Sequence, residues 1–352
     1  MFRMSLYAHP HVRRSGSFFG YAYTYQEIEK HLRNYKYKDE KLNLDLNSPK
    51  SKIQLYYGSP PGFFYDHQYK INMTQWESTL VPPHWVDHAK DYDEWWTANK
   101  FGADAFINAG VPKEKIHVFE HGVDTSIWTP KKRGQKDVIR FLHVDSGSPR
   151  KRGSLAVEAF KIAFKDNPDY EITLKYSHHD ATKVDWFDEK ILESHGEWEG
   201  INIRHIRENM SVEQLINLFH FHDILIYPSE GEGFGLIPLQ ALATGMPVIS
   251  TSRWCSYDKY FNNNIIDSHL GTSDVVETYT RYGDVVIPHL DSMIDLMKST
   301  VQNIENQSKI FYEQIPEVSK EYNWQIKTNE SMDYLINKLG REMFDNSTEY
   351  LK

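Results

Sequence analysis

Short apolar runs rich in β-branched and aromatic residues alternate along the chain with longer stretches in which apolar positions recur every three to four residues. That alternation predicts strands and amphipathic helices layered around parallel sheets, an α/β class. In the first third, residues 3–7, 53–57, 70–73 and 116–119 read as strands, and 25–32 and 100–109 as helices. Gly110 and Pro112 stop the second helix, because a left-handed glycine and an imino acid cannot continue it. A second series runs through a strand at 139–144, a helix at 154–164, and strands at 170–176 and 201–206. Ser211, with Glu213 and Gln214 behind it, predicts a capped helix start leading through Leu215 and Leu218 into a strand at 223–227. After Pro228 a glycine-containing loop enters a helix at 236–243, which Gly245 and Pro247 end before a strand at 248–250.

At 352 residues the chain exceeds the size of one ordinary core, so two domains are expected. The polar stretch 129–137, with Pro130, Lys131, Lys132, Arg133 and Gly134, reads as the boundary. This predicts an N-terminal domain over 1–130, a C-terminal domain over 131–329, and a C-terminal helix within 330–352 that packs back on the first domain. Hydrophobic residues at 40% are enough for a buried core. Cys255 is the single cysteine, which excludes an intrachain disulfide and a thiolate metal cluster and fits a cytoplasmic setting. The first ten residues lack the apolar core of a secretory signal. The longest apolar tract, 234–249, is broken by Gly235, Pro238, Gly245 and Pro247, and falls short of the roughly 20 residues that cross a bilayer. A net charge of −9 argues against an overall basic footprint for nucleic acid, leaving a local basic patch open. No spacing of ligating residues predicts a metal, and nothing in the sequence sets an oligomeric state.

In an open parallel sheet, ligands sit beyond the carboxyl ends of strands. Tyr227-Pro-Ser-Glu-Gly-Glu-Gly-Phe-Gly235 combines a strand end, glycines that let a ligand approach the backbone, and a helix start with free amides. It reads as an anion site. A sugar diphosphate supplies such an anion, and a carboxylate such as Glu232 accepts paired hydrogen bonds from adjacent sugar hydroxyls. The same glycines also suit a plain turn.

The longer string from Pro228 to Ile249, Pro-Ser-Glu-Gly-Glu-Gly-Phe-Gly-Leu-Ile-Pro-Leu-Gln-Ala-Leu-Ala-Thr-Gly-Met-Pro-Val-Ile, resembles the signature of family 4 glycosyltransferases. Those are retaining enzymes of the GT-B fold, with two Rossmann-like domains facing a central cleft. The resemblance implies that Glu232 contacts the donor sugar, with Gly233, Phe234 and Gly235 lining the donor loop. The family's second glutamate, eight positions on, contacts the ribose; here it is Gln240, which keeps hydrogen bonding and loses the charge. His117-Val-Phe-Glu-His-Gly-Val-Asp124 looks like the segment entering the second domain, and Tyr322-Asn-Trp324 is similar to the C-terminal tryptophan motif, so the resemblance covers about 70–330. In Ser146-Gly-Ser-Pro-Arg-Lys-Arg-Gly153, Arg152 falls where the family carries a diphosphate-binding lysine. The family's upstream arginine is out of register, so Arg150 or Lys151 takes its part, and Gly147 joins the donor set. A solvated basic turn is the other reading. The nucleobase is expected beside 207–210.

The family implies a front-face displacement in which the leaving phosphate helps deprotonate the acceptor. Catalysis then falls to Glu232, Arg150, Lys151 and Arg152, without a metal; the nucleotide sugar, a UDP-sugar, is a co-substrate and no cofactor is needed. In the first domain, the resemblance implies that Gly16 and Gly20 belong to a glycine-rich loop near donor phosphate and acceptor, and Met73-Thr-Gln-Trp-Glu77 lacks the histidine that relatives place there. Trp76 and Glu77 are assigned to the acceptor site, with a core aromatic beside a helix cap as the alternative. Arg13 and Arg14, with His9, His11, Phe18, Phe19 and Tyr21, suit a phosphate backbone and an extruded base, as in a bacteriophage-type transferase that glycosylates a hydroxymethylated pyrimidine of DNA. The rival acceptor is an envelope glycan or a lipid-linked saccharide. Gln240 and the missing histidine also leave open a non-catalytic module that binds a sugar nucleotide.

Overall fold

The computed structural model describes residues 2–9, 12, 20–66, 69–134, 136–176, 200–275 and 281–345. Contacts divide the chain into two units, one of Met1–Trp76, Leu80–Gly122 and Tyr322–Lys352, the other of Glu77–Thr79 and Val123–Glu321. Besides the short excursion at Glu77–Thr79, the chain therefore passes between units at Gly122–Val123 and returns at Glu321–Tyr322. The expected boundary stretch lies inside the second unit, held there by Arg133. Its guanidinium donates to the carbonyls of His222 (3.0 Å), Thr244 (2.8 Å) and Phe219 (2.8 Å).

The first unit is built on β1 (Arg3–Ala8), β2 (Asn43–Leu46), β3 (Ile53–Tyr57), β4 (Tyr69–Met73), β5 (Glu94–Thr97) and β6 (Ile116–Val118). Their order is β2-β1-β3-β4-β5-β6, every pair parallel. All five residues of β3 are buried, as expected of an inner parallel strand covered on both faces. Helix α1 (Gly20–Asn34) follows β1, and α2 (Lys100–Asn108) starts where the Asn99 side chain accepts from the Gly102 amide at 2.7 Å.

The C-terminal helix Trp324–Leu339 belongs to this unit and packs on α1, starting six residues before the expected 330–352 segment because Asn323 caps it. Tyr35 donates to Asp333 at 2.5 Å, and His31 Nδ1 lies 2.9 Å from Gln325 Oε1. At the sheet, buried Glu94 accepts from Tyr69 (2.7 Å) and Trp96 (2.5 Å) and pairs with Lys338 at 2.7 Å. His117 stacks on Tyr334 with ring centroids 4.0 Å apart, and burial pushes its pKa down to about 4. Residues 117–122 of the first motif and 322–324 of the second thus meet within one unit. His121 stacks on Trp324 at 5.1 Å, and a Cβ on Gly122 would fall 2.7 Å from the Trp324 Cα.

The second unit comprises β7 (Ile139–Asp145), α3 (Gly153–Phe164), β8 (Tyr170–Tyr176), β9 (Asn202–Ile206), α4 (Val212–Phe221), β10 (Ile224–Tyr227), α5 (Leu236–Ala243) and β11 (Val248–Ser250). The parallel order is β9-β8-β7-β10-β11, a Rossmann-like arrangement that reverses direction between β7 and β10. Ser211 and Gln214 form the predicted capping box of α4. Phe141, Phe160, Phe164, Ile172, Ile224 and Ile226 fill the core against Met293 and Met297 of α6 (Leu290–Gln302). The antiparallel pair β12 (Ser268–Gly271) and β13 (Val285–Pro288), with helices α7 (Ile304–Glu313) and α8 (Ile315–Glu321), completes the unit.

Candidate functional site

Strands β7 and β10 are neighbours on either side of the reversal, so the loops at their carboxyl ends, 146–152 and 228–235, come together. The Glu230 amide donates to the Arg150 carbonyl at 3.0 Å, which ties one loop to the other. Asp145, at the end of β7, shapes the first loop: one carboxylate oxygen lies 2.7 Å from His143 Nε2, and the other accepts from the Gly147 amide. Gly147 takes φ +84°, a conformation that glycine adopts without a Cβ penalty. A short turn over Pro149–Lys151 then leads to Arg152, itself left-handed at φ 56°, which opens α3 without a side-chain cap. The first amides of α3 are orphan donors with the positive end of the helix dipole behind them.

Glu232 lies among the first two cations. Its Oε1 accepts from Lys151, from Ser229 at 2.5 Å and from Tyr227 at 3.1 Å, and Arg150 NH1 stands 3.5 Å away. Burial pushes the Glu232 carboxyl up, but Lys151 and Arg150 together hold it below the ordinary carboxylate range. Burial likewise draws the Lys151 ammonium down from its ordinary range, against the pull of Glu232. Burial raises the Tyr227 phenol well above its usual value, so it remains a donor to Glu232.

Arg152 has a separate set of partners. Its Nε donates to Glu230 Oε1 at 2.6 Å, and its NH2 reaches both that oxygen and Asp274 Oδ1. Ser273 donates to the other Glu230 oxygen at 2.6 Å. Burial raises the Glu230 carboxyl despite the opposing charge of Arg152. The three predicted cations are therefore not equivalent: Arg150 and Lys151 flank Glu232, while Arg152, expected in the lysine's place, pairs with Glu230 and Asp274.

Two glycines set the loop's shape. Gly235 (φ +86°) hands the chain into α5; a Cβ there would overlap the Trp254 ring and lie 2.7 Å from the Tyr257 hydroxyl, which donates to the Gly235 carbonyl. A Cβ on Gly231 would strike the Glu77 carbonyl, so 77–79 runs directly against the donor loop. Thr79 and Asp284 fasten that segment through two hydrogen bonds of 2.9 and 2.7 Å. Glu77, assigned from sequence to the acceptor site, thus lies beside the donor loop, near enough for its charge to pull the Lys151 pKa up. Trp76 does not accompany it. Its indole donates to the Leu80 carbonyl at 2.6 Å and its buried ring meets Trp85 edge-on at 4.9 Å, the core packing read as the alternative.

Of the other expected residues, Gly233 and Phe234 are buried in the loop, the latter packed against Tyr257 at 5.5 Å. Gln240 is buried in α5, and its side-chain carbonyl meets no hydrogen-bond donor among the described residues. Arg13, Arg14 and Gly16, with His11, Phe18 and Phe19, lie outside the described residues. At the ends of β8 and β9, where the nucleobase was expected, Arg207 donates to the Tyr176 hydroxyl at 2.9 Å. Sequence reasoning missed Tyr227, Glu230, Trp254, Tyr257 and Asp274. Position after β10 and β11 is the signal for the aromatics; the acids have none, since their roles depend on Arg152 folding over them. It also missed His121, whose Nε2 lies 2.5 Å from Gln75 in the segment lacking the expected histidine; burial pushes its pKa down to about 3. Among the described residues no cluster of three ligating side chains is disposed to hold a metal, and no helix is long and apolar enough to cross a membrane.

Residues 124–275 match the family described as glycosyl transferases group 1. A D-inositol 3-phosphate glycosyltransferase from Paenarthrobacter aurescens (strain TC1) is 26% identical over 151 residues, 41% of this chain and 36% of the relative. The match thus spans about a third of that protein's length. Among solved structures, Anabaena HepE in complex with UDP-glucose superposes with a TM-score of 0.65 at 12% identity, covering 96% of this chain and 100% of that one. Sucrose-phosphate synthase from Thermosynechococcus elongatus gives 0.66 at 12% identity, covering 96% and 99%. A glycosyltransferase from Rickettsia africae ESF-5 gives 0.65 at 15% identity, covering 98% and 99%. The chain has the GT-B fold, and the part of it that matches the glycosyl transferases group 1 family is residues 124–275.

Proposed function

We propose that this protein is a retaining glycosyltransferase that moves a sugar from a UDP-sugar to a hydroxyl acceptor. The observation that carries the reading is the charge-compensated set Glu232, Lys151 and Arg150, set where the strand order reverses and beside the uncapped start of α3. Glu232 holds sugar hydroxyls, while Lys151, Arg150, Arg152 and the α3 amides take up the charge that develops on the leaving diphosphate. Gln240 supplies its unsatisfied carbonyl to the ribose. Arg207 and Tyr176 flank the base. A front-face displacement suits this arrangement, because the departing phosphate takes the acceptor's proton and no protein nucleophile is required.

For the acceptor we favour a saccharide or polyol hydroxyl. The net charge of −9 suits it better than a DNA backbone, and the similar proteins include ones named for inositol 3-phosphate and sucrose phosphate. The hydroxymethylated-DNA reading rests on Arg13, Arg14 and their neighbours. Incubation with labelled UDP-sugars and, in parallel, a saccharide, a polyol phosphate and hydroxymethylcytosine DNA tests both. Retained anomeric configuration in the product and release of UDP are expected. Transfer to DNA alone reverses the choice of acceptor; inversion removes the front-face mechanism; binding of UDP-sugar without turnover would leave a binding module.

A further inference from the structure

Arg152 has two carboxylate partners of unlike standing. The Glu230 side chain has no exposed surface and is fixed at every end: Arg152 and Ser273 hold its two oxygens, its amide donates to the Arg150 carbonyl at 3.0 Å, and its carbonyl accepts from the Val286 amide at 2.7 Å. The Asp274 side chain is 77% exposed and touches the same guanidinium through NH2. The two acids are linked through the chain, since Ser273, which holds Glu230, immediately precedes Asp274.

We propose that Asp274 is an exchangeable stand-in for donor phosphate: Glu230 keeps its hold on Nε and NH2 of Arg152 permanently, and Asp274 occupies the outward side of NH2 until the diphosphate of the nucleotide sugar displaces it. This rests on the reading of Arg152 as a diphosphate ligand. Stripping Arg152 from Glu230 would strand a buried carboxylate, which is costly, so that contact stays. Parting from Asp274 costs little, because water takes over an exposed acid and such pairs are weak. A dianionic diphosphate therefore outcompetes Asp274 and leaves Glu230 in place, so the guanidinium stays aimed while its outer edge changes hands. Glu230 is in this scheme a positioning residue, and Asp274 a built-in competitor that lowers donor affinity.

The test is a titration of the full chain with UDP, comparing wild type, Asp274→Asn, Arg152→Ala and the double variant. Asp274→Asn is expected to bind UDP about two- to fivefold more tightly, the worth of an exposed pair. The gain should vanish in the Arg152→Ala background. Unchanged or weaker binding by Asp274→Asn overturns the proposal, as does an equal gain without Arg152, which would mark general charge repulsion. If Arg152→Ala binds UDP as wild type does, the reading of Arg152 itself fails, a distinguishable result. Should Arg152→Ala not fold, Arg152→Lys serves instead: it keeps the charge but loses the fork that spans both acids, and a gain undiminished in that background overturns the proposal.

Discussion

Replacing Gly235 by alanine tests whether the donor loop is clamped as described. Its φ of +86° and ψ of 58° place an added side chain in the left-handed region, a cost of about 1–2 kcal/mol. The new Cβ would also overlap Trp254 and crowd the Tyr257 hydroxyl at 2.7 Å. Neither aromatic is free to retreat: the Trp254 indole is held at the Ser229 carbonyl (3.2 Å) and the Thr251 hydroxyl (3.1 Å), and Tyr257 is fully buried and bonded to Gly235 itself. Overpacking of this kind costs about 1–3 kcal/mol more. Together these give about 2–5 kcal/mol, and at roughly 2–4 °C per kcal/mol for a unit of this size the midpoint should drop by about 4–20 °C. Gly134→Ala is the control, since a Cβ there meets nothing within 4 Å. Thermal unfolding followed beside a UDP titration reads both stability and site. A Gly235→Ala protein that melts within about 1 °C of wild type and binds UDP undiminished would refute the clamp.

Three further outcomes are expected. Glu232→Gln removes the buried counter-charge of Lys151 and Arg150 and should lower turnover by about a hundredfold or more, with about 3–5 kcal/mol lost in denaturant unfolding; turnover near wild type removes Glu232 from the chemistry. Lys151 sits below its ordinary range through burial and its protonated form suits a diphosphate, so UDP affinity should fall as pH rises through that lowered pKa; Lys151→Arg should remove this alkaline loss, and isothermal titration across pH decides it. His117 and His121 are pushed from 6.5 to about 4 and about 3, so the unfolded chain binds more protons below pH 6.5. Stability is then full above 6.5 and lost as pH falls, by about 3 kcal/mol for each histidine near pH 4; a flat denaturant midpoint between pH 7 and 4.5 would contradict it.

The second unit was the more legible in sequence, for a physical reason. Its inner strands, such as Ile224-Leu-Ile-Tyr227, are buried on both faces and so appear as continuous apolar runs, while Ser211, Gly245 and Pro247 mark helix ends through backbone chemistry that operates locally. Strand β5 escaped because it opens on Glu94, and a buried carboxylate makes sense only with Lys338 and Tyr69 in place. The glycine loop and Glu232 were visible as a pattern. The partition of Arg150, Lys151 and Arg152 among three acids was not, since Asp274 lies 122 positions from Arg152 along the chain. Nor was the location of Glu77, set by Gly231 having no side chain to keep it away.

A domain assembled from stretches on either side of another has a consequence for its synthesis. The ribosome finishes the second unit while the first still awaits the stretch from Tyr322 onward. A premature stop just ahead of Trp324 would spare the former and cripple the latter, stranding Glu94 without Lys338 and baring the surface that Gly122 offers to Trp324. Nonsense lesions ahead of Trp324 should therefore register as damage to a unit whose sheet lies far upstream in the message.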